Sequence, residues 1–276
     1  MATILEEIAE YAIVRVERAK AVMPQSELEA LARERRADTM QFAFERALRQ
    51  PGLSFICECK KASPSKGLIA ASYPYLEIAK EYEAAGANAI SVLTEPKWFL
   101  GSDAHLREIA DAVSVPCLRK DFTVDEYMVW EAAALGASAV LLICSLLDAA
   151  QLRDWMVLCE ELGLSALVET RDAAQIEMAL GCGARIIGVN NRNLADFTVD
   201  RGNAARLRSL VPPEAVFVAE SGIKSGTDAA LLRAAGVDAI LVGEAMMRAP
   251  DKRALLMEFI HESPQIDTNT GIRDGL

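Results

Sequence analysis

Glu58 and Lys60 stand two residues apart where the apolar run Leu53-Ser54-Phe55-Ile56 gives way to the polar stretch KKASPSKG. On a β-strand that spacing sends both side chains to one face, so a carboxylate and an ammonium group share it. Other short apolar runs end in the same way: in Lys120 and Asp121, in Glu169, in Asn190-Asn191-Arg192, and in Glu220-Ser221. A lysine or carboxylate tuned by burial and neighbouring charge can donate or accept protons, and an arginine can meet a carboxylate. Any one of these residues on its own could be a solvated loop charge. Recurring at equivalent places, they read as one site, because converging charges are costly unless paired.

Cys57 and Cys59 interleave with that first pair and raise the question of a metal. The six cysteines (57, 59, 117, 144, 159, 182) lie mostly in apolar segments without a spaced framework, and the only histidines are His105 and His261. Two histidines in helical or tail context are too few for a multi-histidine metal site or a Ser-His-Asp triad. Alternation puts Cys57 and Cys59 on the face opposite Glu58 and Lys60, where thiols pack as small apolar groups. No metal is expected. Reduced, buried thiols point to a cytoplasmic protein.

The elements that must position these groups form a repeat. Eight Val- and Ile-rich runs read as strands: SFICECK (54–60), AISVLTE (89–95), CLRKDF (117–122), AVLLICS (139–145), SALVET (165–170), RIIGVNN (185–191), AVFVAES (215–221) and AILVGEA (239–245). Stretches of helical period separate them. Four joints look alike, AAGANAISVL, ALGASAVLLI, GCGARIIGV and AAGVDAILVG, each a helix closed by Gly before the next strand. Such a joint is a common αβ solution by itself. Eight βα units after a leader predict a (β/α)₈ TIM barrel with an N-terminal helical extension. Residues 1–50 are expected as helices packed on or capping one end, 51–262 as the barrel and 263–276 as a loose polar tail, all in one domain. An open doubly wound sheet is the runner-up, but no G-x-G-x-x-G follows a strand.

In such a barrel catalytic groups project from the C-terminal ends of the strands, where this set falls. The loops after strands seven and eight, ESGIKSG (220–226) and VGEAMM (242–247), carry small residues that let backbone N–H groups approach an anion. These are the loops at which barrels frequently bind phosphate.

Composition bounds the partner. With 52% hydrophobic and 25% charged residues, the 276-residue chain can bury a sizeable core. A net charge of −11, from 40 acids and 29 bases, argues against a nucleic-acid groove or an anionic membrane surface. A small phosphorylated anion meeting a local cluster of Lys and Arg remains the expected partner. No apolar run approaches the ~20 residues of a membrane span, and the start MATILEEIAEYAIVRVERAK lacks the pattern of a signal peptide.

KKASPSKG after strand one, SVLTEPKWFLGS after strand two, LRKDF in strand three, LVET in strand five, GVNNRNL in strand six, AESGI in strand seven and VGEAMM in strand eight resemble the indole-3-glycerol-phosphate synthase family. The resemblance runs in order over residues 50 to about 250. It implies a carboxy-lyase of tryptophan biosynthesis. That enzyme converts 1-(2-carboxyphenylamino)-1-deoxy-D-ribulose 5-phosphate to indole-3-glycerol phosphate, carbon dioxide and water, with no metal or organic cofactor. Other enzymes of the pathway are candidate partners.

The resemblance further implies Lys120 as general acid of ring closure and Glu169 as the group that relays a proton in dehydration. Lys60 would neutralise the substrate carboxylate or act as the second acid, and Glu58 would hold Lys60 or Lys120 and touch a substrate hydroxyl. Which lysine serves which step is left open, because the groups titrate as a set. Asn190 would hydrogen-bond substrate oxygens and Arg192 would meet the carboxylate. Phe99, Phe122, Leu141, Ile143 and Leu194 would surround the anthranilate ring, although barrel-core packing alone would also suit Leu141 and Ile143. Ser63, Ser221, Gly222, Gly243 and the backbone at Glu244 would cradle the phosphate, with Lys66 as a further helper. Ala245 stands where a Ser is common after Gly-Glu, so side-chain help from that position is lost. The alternatives are another phosphate-binding barrel enzyme, either an isomerase or a Schiff-base aldolase with Lys120 as nucleophile, or a non-catalytic binding module.

Overall fold

The structure, a computed structural model, describes residues 3–37, 39–193 and 197–262; Leu194 and the tail 263–276 lie outside the described residues. Eight parallel strands close into a barrel: β1 (Ser54–Cys59), β2 (Ala89–Leu93), β3 (Cys117–Lys120), β4 (Ala139–Ile143), β5 (Ser165–Thr170), β6 (Ile186–Asn190), β7 (Val216–Glu220) and β8 (Ala239–Val242). The ring shuts where β8 pairs with β1, from Ser54 opposite Ala239 to Cys57 opposite Val242. Parallel strands covered on both faces must be apolar on both, which is why these runs read as near-continuous Val, Ile and Leu.

Period-two alternation sorts each strand into two cores. Ile56, Leu118, Leu141, Leu167, Ile186, Val218 and Leu241 fill the barrel interior. Cys57, Cys59, Val92, Val140, Val168, Ile187 and Ile240 face the surrounding helices. The four similar joints share one geometry. Gly86, Gly136, Gly183 and Gly236 take φ of +104°, +86°, +94° and +79°. The residue after each then donates its N–H five residues back, as Ala87 does to Tyr82 and Ala137 to Ala132 at 3.0 and 2.9 Å. A Cβ at these positions would oppose that left-handed turn.

The leader forms α1 (Ile4–Val22), α2 (Gln25–Arg36) and α3 (Ala43–Leu48). It serves both ends of the barrel rather than the one end expected. At the start of α1, Ile8 and Ala12 join the interior cluster beside Phe122. Further along, Arg15 donates twice to Asp121, at 3.0 and 2.6 Å. At the opposite end Phe44 and Leu48 of α3 are buried in the same cluster. There Glu45 N–H donates to Ser165 Oγ at the start of β5, and Ser54 Oγ at the start of β1 donates to the Leu48 carbonyl. A barrel interior packed with aliphatic side chains needs an apolar stopper below, and α3 supplies it.

The β1 exit loop folds into a short antiparallel hairpin, Ala62–Ser63 against Gly67–Leu68, which the alternation pattern did not anticipate. No helix among the described residues is long and apolar enough to cross a membrane.

Candidate active site

A cavity of about 790 Å³ opens at the C-terminal ends of the strands. Glu58 and Lys60 from β1 and its exit, Ser63 and Lys66 from the hairpin, and Phe99 after β2 line it. Lys120 and Phe122 follow from the end of β3, Leu141 and Ile143 from β4, Glu169 from β5, and Asn190 and Arg192 from β6. Ser221, Gly222, Gly243 and Glu244 close the remaining side. Among the described residues, every side chain and backbone position expected from the sequence converges here; Leu194 cannot be placed.

The charges form one paired system. Lys120 Nζ lies 3.4 Å from Glu169 Oε2 and 3.6 Å from Glu220 Oε2. Lys60 is ion-paired with Glu58, to which Ser91 Oγ also donates at 3.5 Å. Asn190 Nδ2 donates to the second Glu169 oxygen at 3.1 Å, and its own Oδ1 accepts from Arg192 N–H at 2.9 Å. Glu58 thus holds Lys60 directly, while Lys120 belongs to Glu169 and Glu220. Two glycines make room: a Cβ at Gly243 would collide with the Glu58 carboxylate, and one at Gly188 with that of Glu220.

Burial alone would favour a neutral Lys120, but Glu169, Glu220 and Glu58 together outweigh it and hold the ammonium above the usual lysine range. Glu220 is raised as well, which for an acid favours the neutral form. Burial, reinforced by Glu169 and Glu58 against the pull of Lys120, pushes its carboxyl up to about 8. Its Oε1 is buried without a hydrogen-bond partner. Three carboxyl groups share two ammonium groups, and Glu220, the most buried of the three, is the one pushed toward its neutral form.

Opposite the charges stands an apolar wall. The Phe99 and Phe122 rings lie 5.9 Å apart and tilted by 41°, flanked by Leu141, Ile143 and three leader residues, Ile4, Leu5 and Ile8. At the other end of the cavity Ser221 and Gly222 take consecutive left-handed conformations, with φ of +68° and +81°. Asn191 Nδ2 donates to the Ser221 carbonyl at 3.0 Å. A left-handed serine costs roughly 1–2 kcal/mol, which marks a turn the surroundings impose. Lys66, Arg201, Lys224 and Arg248 gather at this end. The Glu244 carboxylate lies 3.9 Å from Lys66 and 3.4 Å from Arg248, so its backbone rather than its side chain is suited to an anion.

Sequence reasoning left Glu220 without a role, although it stood at a strand end, and missed Ile4, Leu5, Ile8, Arg201 and Arg248. The strand-end rule could have assigned Glu220. The helical pattern of the leader does not tell which part of the barrel each of its side chains covers. Cys57 and Cys59 point away from the cavity. Burial pushes the Cys57 thiol up to about 12 and raises Cys59 as well, so both stay protonated and unreactive. Among the described residues no three His, Cys, Asp or Glu side chains form a group that could hold a metal.

Comparison with known proteins meets this geometry. A family model described as indole-3-glycerol phosphate synthase matches residues 5–259. The indole-3-glycerol phosphate synthase of Ruminiclostridium cellulolyticum is 51% identical over 253 residues, covering 92% of this chain and 97% of that protein. That of Lacticaseibacillus paracasei is 56% identical over 212 residues, covering 77% and 82%. Among solved structures, 3-hexulose-6-phosphate synthase from Salmonella typhimurium superposes with a TM-score of 0.62 at 15% identity, over 75% of this chain and 96% of that one, a likeness of fold alone. A closed barrel with paired lysines and glutamates at its mouth, matched almost end to end by the family model, places this chain in the indole-3-glycerol phosphate synthase family.

Proposed function

We infer that the residues at the barrel mouth divide the family's reaction between two lysine–glutamate pairs. The observation that carries this reading is Lys120, held charged between Glu169 and Glu220 and facing an aromatic wall. The reaction joins a ring carbon of the substrate to its ketone carbon. As that bond forms, the ketone oxygen needs a proton, which the Lys120 ammonium donates. The ring carboxylate then leaves as carbon dioxide, and its bonding electrons restore the aromatic ring.

Loss of water follows. Lys60 delivers a proton to the departing hydroxyl, and Glu169, oriented by Asn190, takes the proton released from the new ring. Glu58 holds Lys60 in place. Protonated Glu220 can donate a hydrogen bond to a substrate hydroxyl without adding charge. Arg192 faces the substrate carboxylate, and the Phe99–Phe122 wall folds ring and ketone together in a space poor in water. Proximity of this kind can contribute up to roughly 7–11 kcal/mol. The backbone around Ser221, Gly222, Gly243 and Glu244, with Ser63 and the nearby cations, receives the phosphate. The six free thiols suit a cytoplasmic protein.

A Schiff-base aldolase is disfavoured by the same geometry, because a nucleophilic lysine must reach its neutral form and the Glu169 and Glu58 carboxylates oppose that at Lys120. Incubation with the carboxyphenylamino-deoxyribulose phosphate should produce indole fluorescence, and borohydride should trap no adduct. Absence of product at micromolar enzyme would sink the reading.

A further inference from the structure

We propose that Glu95 is a positioning residue for the aromatic wall: its buried carboxylate folds the connection after β2 so that Phe99 faces the substrate ring. Glu95 is fully buried and is not among the residues lining the cavity. Its two oxygens accept hydrogen bonds from three successive backbone N–H groups, those of Lys97, Trp98 and Phe99, at 2.9, 2.7 and 3.0 Å. Successive N–H groups pointing inward form a concave anion site, and here the anion is the chain's own side chain.

The rest of the loop is wound around that contact. Gly101 N–H returns to the Glu95 carbonyl at 2.8 Å. Leu100 takes a left-handed φ of +53°, and a Cβ at Gly101 would strike the Leu93 carbonyl. Three parts of the site hang on the loop so formed. The Phe99 ring meets Phe122. The Phe99 carbonyl accepts the Ala62 N–H at 3.2 Å, tying in the hairpin that carries Ser63. Trp98 packs edge-on against Tyr11 of the leader with ring centroids 5.7 Å apart. Without the carboxylate, three N–H groups lose their acceptor, and a loop in this conformation has no other to offer them.

The proposal rests on the reading that Phe99 walls the substrate ring, and steady-state kinetics of three variants separate the two. Glu95→Gln keeps the shape but replaces one accepting oxygen with a donor. It should raise KM for the carboxyphenylamino-deoxyribulose phosphate about tenfold while kcat falls less than about threefold, since the proton-transferring groups are untouched. Phe99→Leu should also raise KM. The double variant should be no worse than the poorer single one, because both act through the same ring. If Phe99→Leu leaves KM unchanged, the wall reading falls. If Phe99→Leu raises KM but Glu95→Gln does not, or if the two effects multiply, the positioning role is overturned. Should Glu95→Gln fail to fold, Glu95→Asp, which keeps the charge but reaches fewer N–H groups, is scored by the same criteria.

Discussion

Lys120 and Glu220 lie 3.6 Å apart in a site where positive and negative charge are almost balanced, and their roles can be separated by substitution. Lys120→Ala removes the group proposed to donate the proton in ring closure but leaves the proposed aromatic wall and phosphate end intact. Turnover should fall below detection, a loss of at least about 10²-fold, while product binding measured by fluorescence stays within about threefold of wild type. Retained turnover would remove Lys120 from the mechanism. Glu220→Gln tests the unpaired proton. The wild-type carboxyl, raised to about 8 in the fold, holds a proton between its ordinary value near ~4.3 and that point, where the unfolded chain does not. The folded state therefore binds more protons in that window, and wild-type stability falls as pH rises through it. The amide carries no such penalty. The Tm of Glu220→Gln minus that of wild type should grow from pH about 5 to about 8 and then level off, with turnover reduced because the donor to substrate is weaker. A pH-independent difference would show that Glu220 is ionised in the fold.

At the scale of elements, α1 reaches the end of β3 through Arg15 and Asp121, residues 106 apart in sequence. Asp121 is buried, also accepts from Thr94 Oγ1 at 2.6 Å and from Phe122 N–H at 2.8 Å, and sits between Lys120 and Phe122. Burial would raise its carboxyl, but Arg15, Arg119 and Thr94 together hold it below the ordinary range. That stabilisation is present above the unfolded pKa and is lost as pH falls through the lower folded one. Arg15→Ala leaves a buried carboxylate short of its main partner and should cost about 3–5 kcal/mol near neutral pH. The cost should shrink in strongly acidic solution, once the pH has fallen through that lower folded value and Asp121 is protonated. Chemical denaturation at the two pH values checks this; an equal loss at both would assign Arg15 to packing alone.

The same contact shows where sequence reading stops. Glu58, Lys120, Glu169 and Asn190 were legible because strand period two and the strand-end rule fix both their face and their depth. The Arg15–Asp121 pair, the Ile4, Leu5 and Ile8 wall and the Arg248 cation arise only when distant segments meet, and nothing local specifies them. Ser221 was named, but no alternation pattern predicts a left-handed serine. The leader was expected as helices at one end of the barrel, and nothing local in its sequence says that it would serve both.

For the whole molecule, the barrel separates an end that binds from an end that only holds. One interior cluster runs from Ile8 and Phe122 at the mouth to Phe44 and Leu48 at the base, so the two ends share a packed column. Close-packed interiors transmit strain, and a stopper at the base could in principle tune the site. The geometry argues otherwise. Phe44 and Leu48 of α3 sit by the starting residues of β1 and β5, whereas the catalytic candidates project from the far ends, each fixed by its own partners across neighbouring strands. Phe44→Ala should therefore open a cavity and cost ~3–5 kcal/mol of folding stability, with kcat and KM of the folded enzyme within about threefold of wild type. Urea unfolding with an unchanged m-value, paired with kinetics well below the transition, checks both halves. A tenfold change in KM without loss of folded protein would mean that the interior column carries strain from the base to the substrate site.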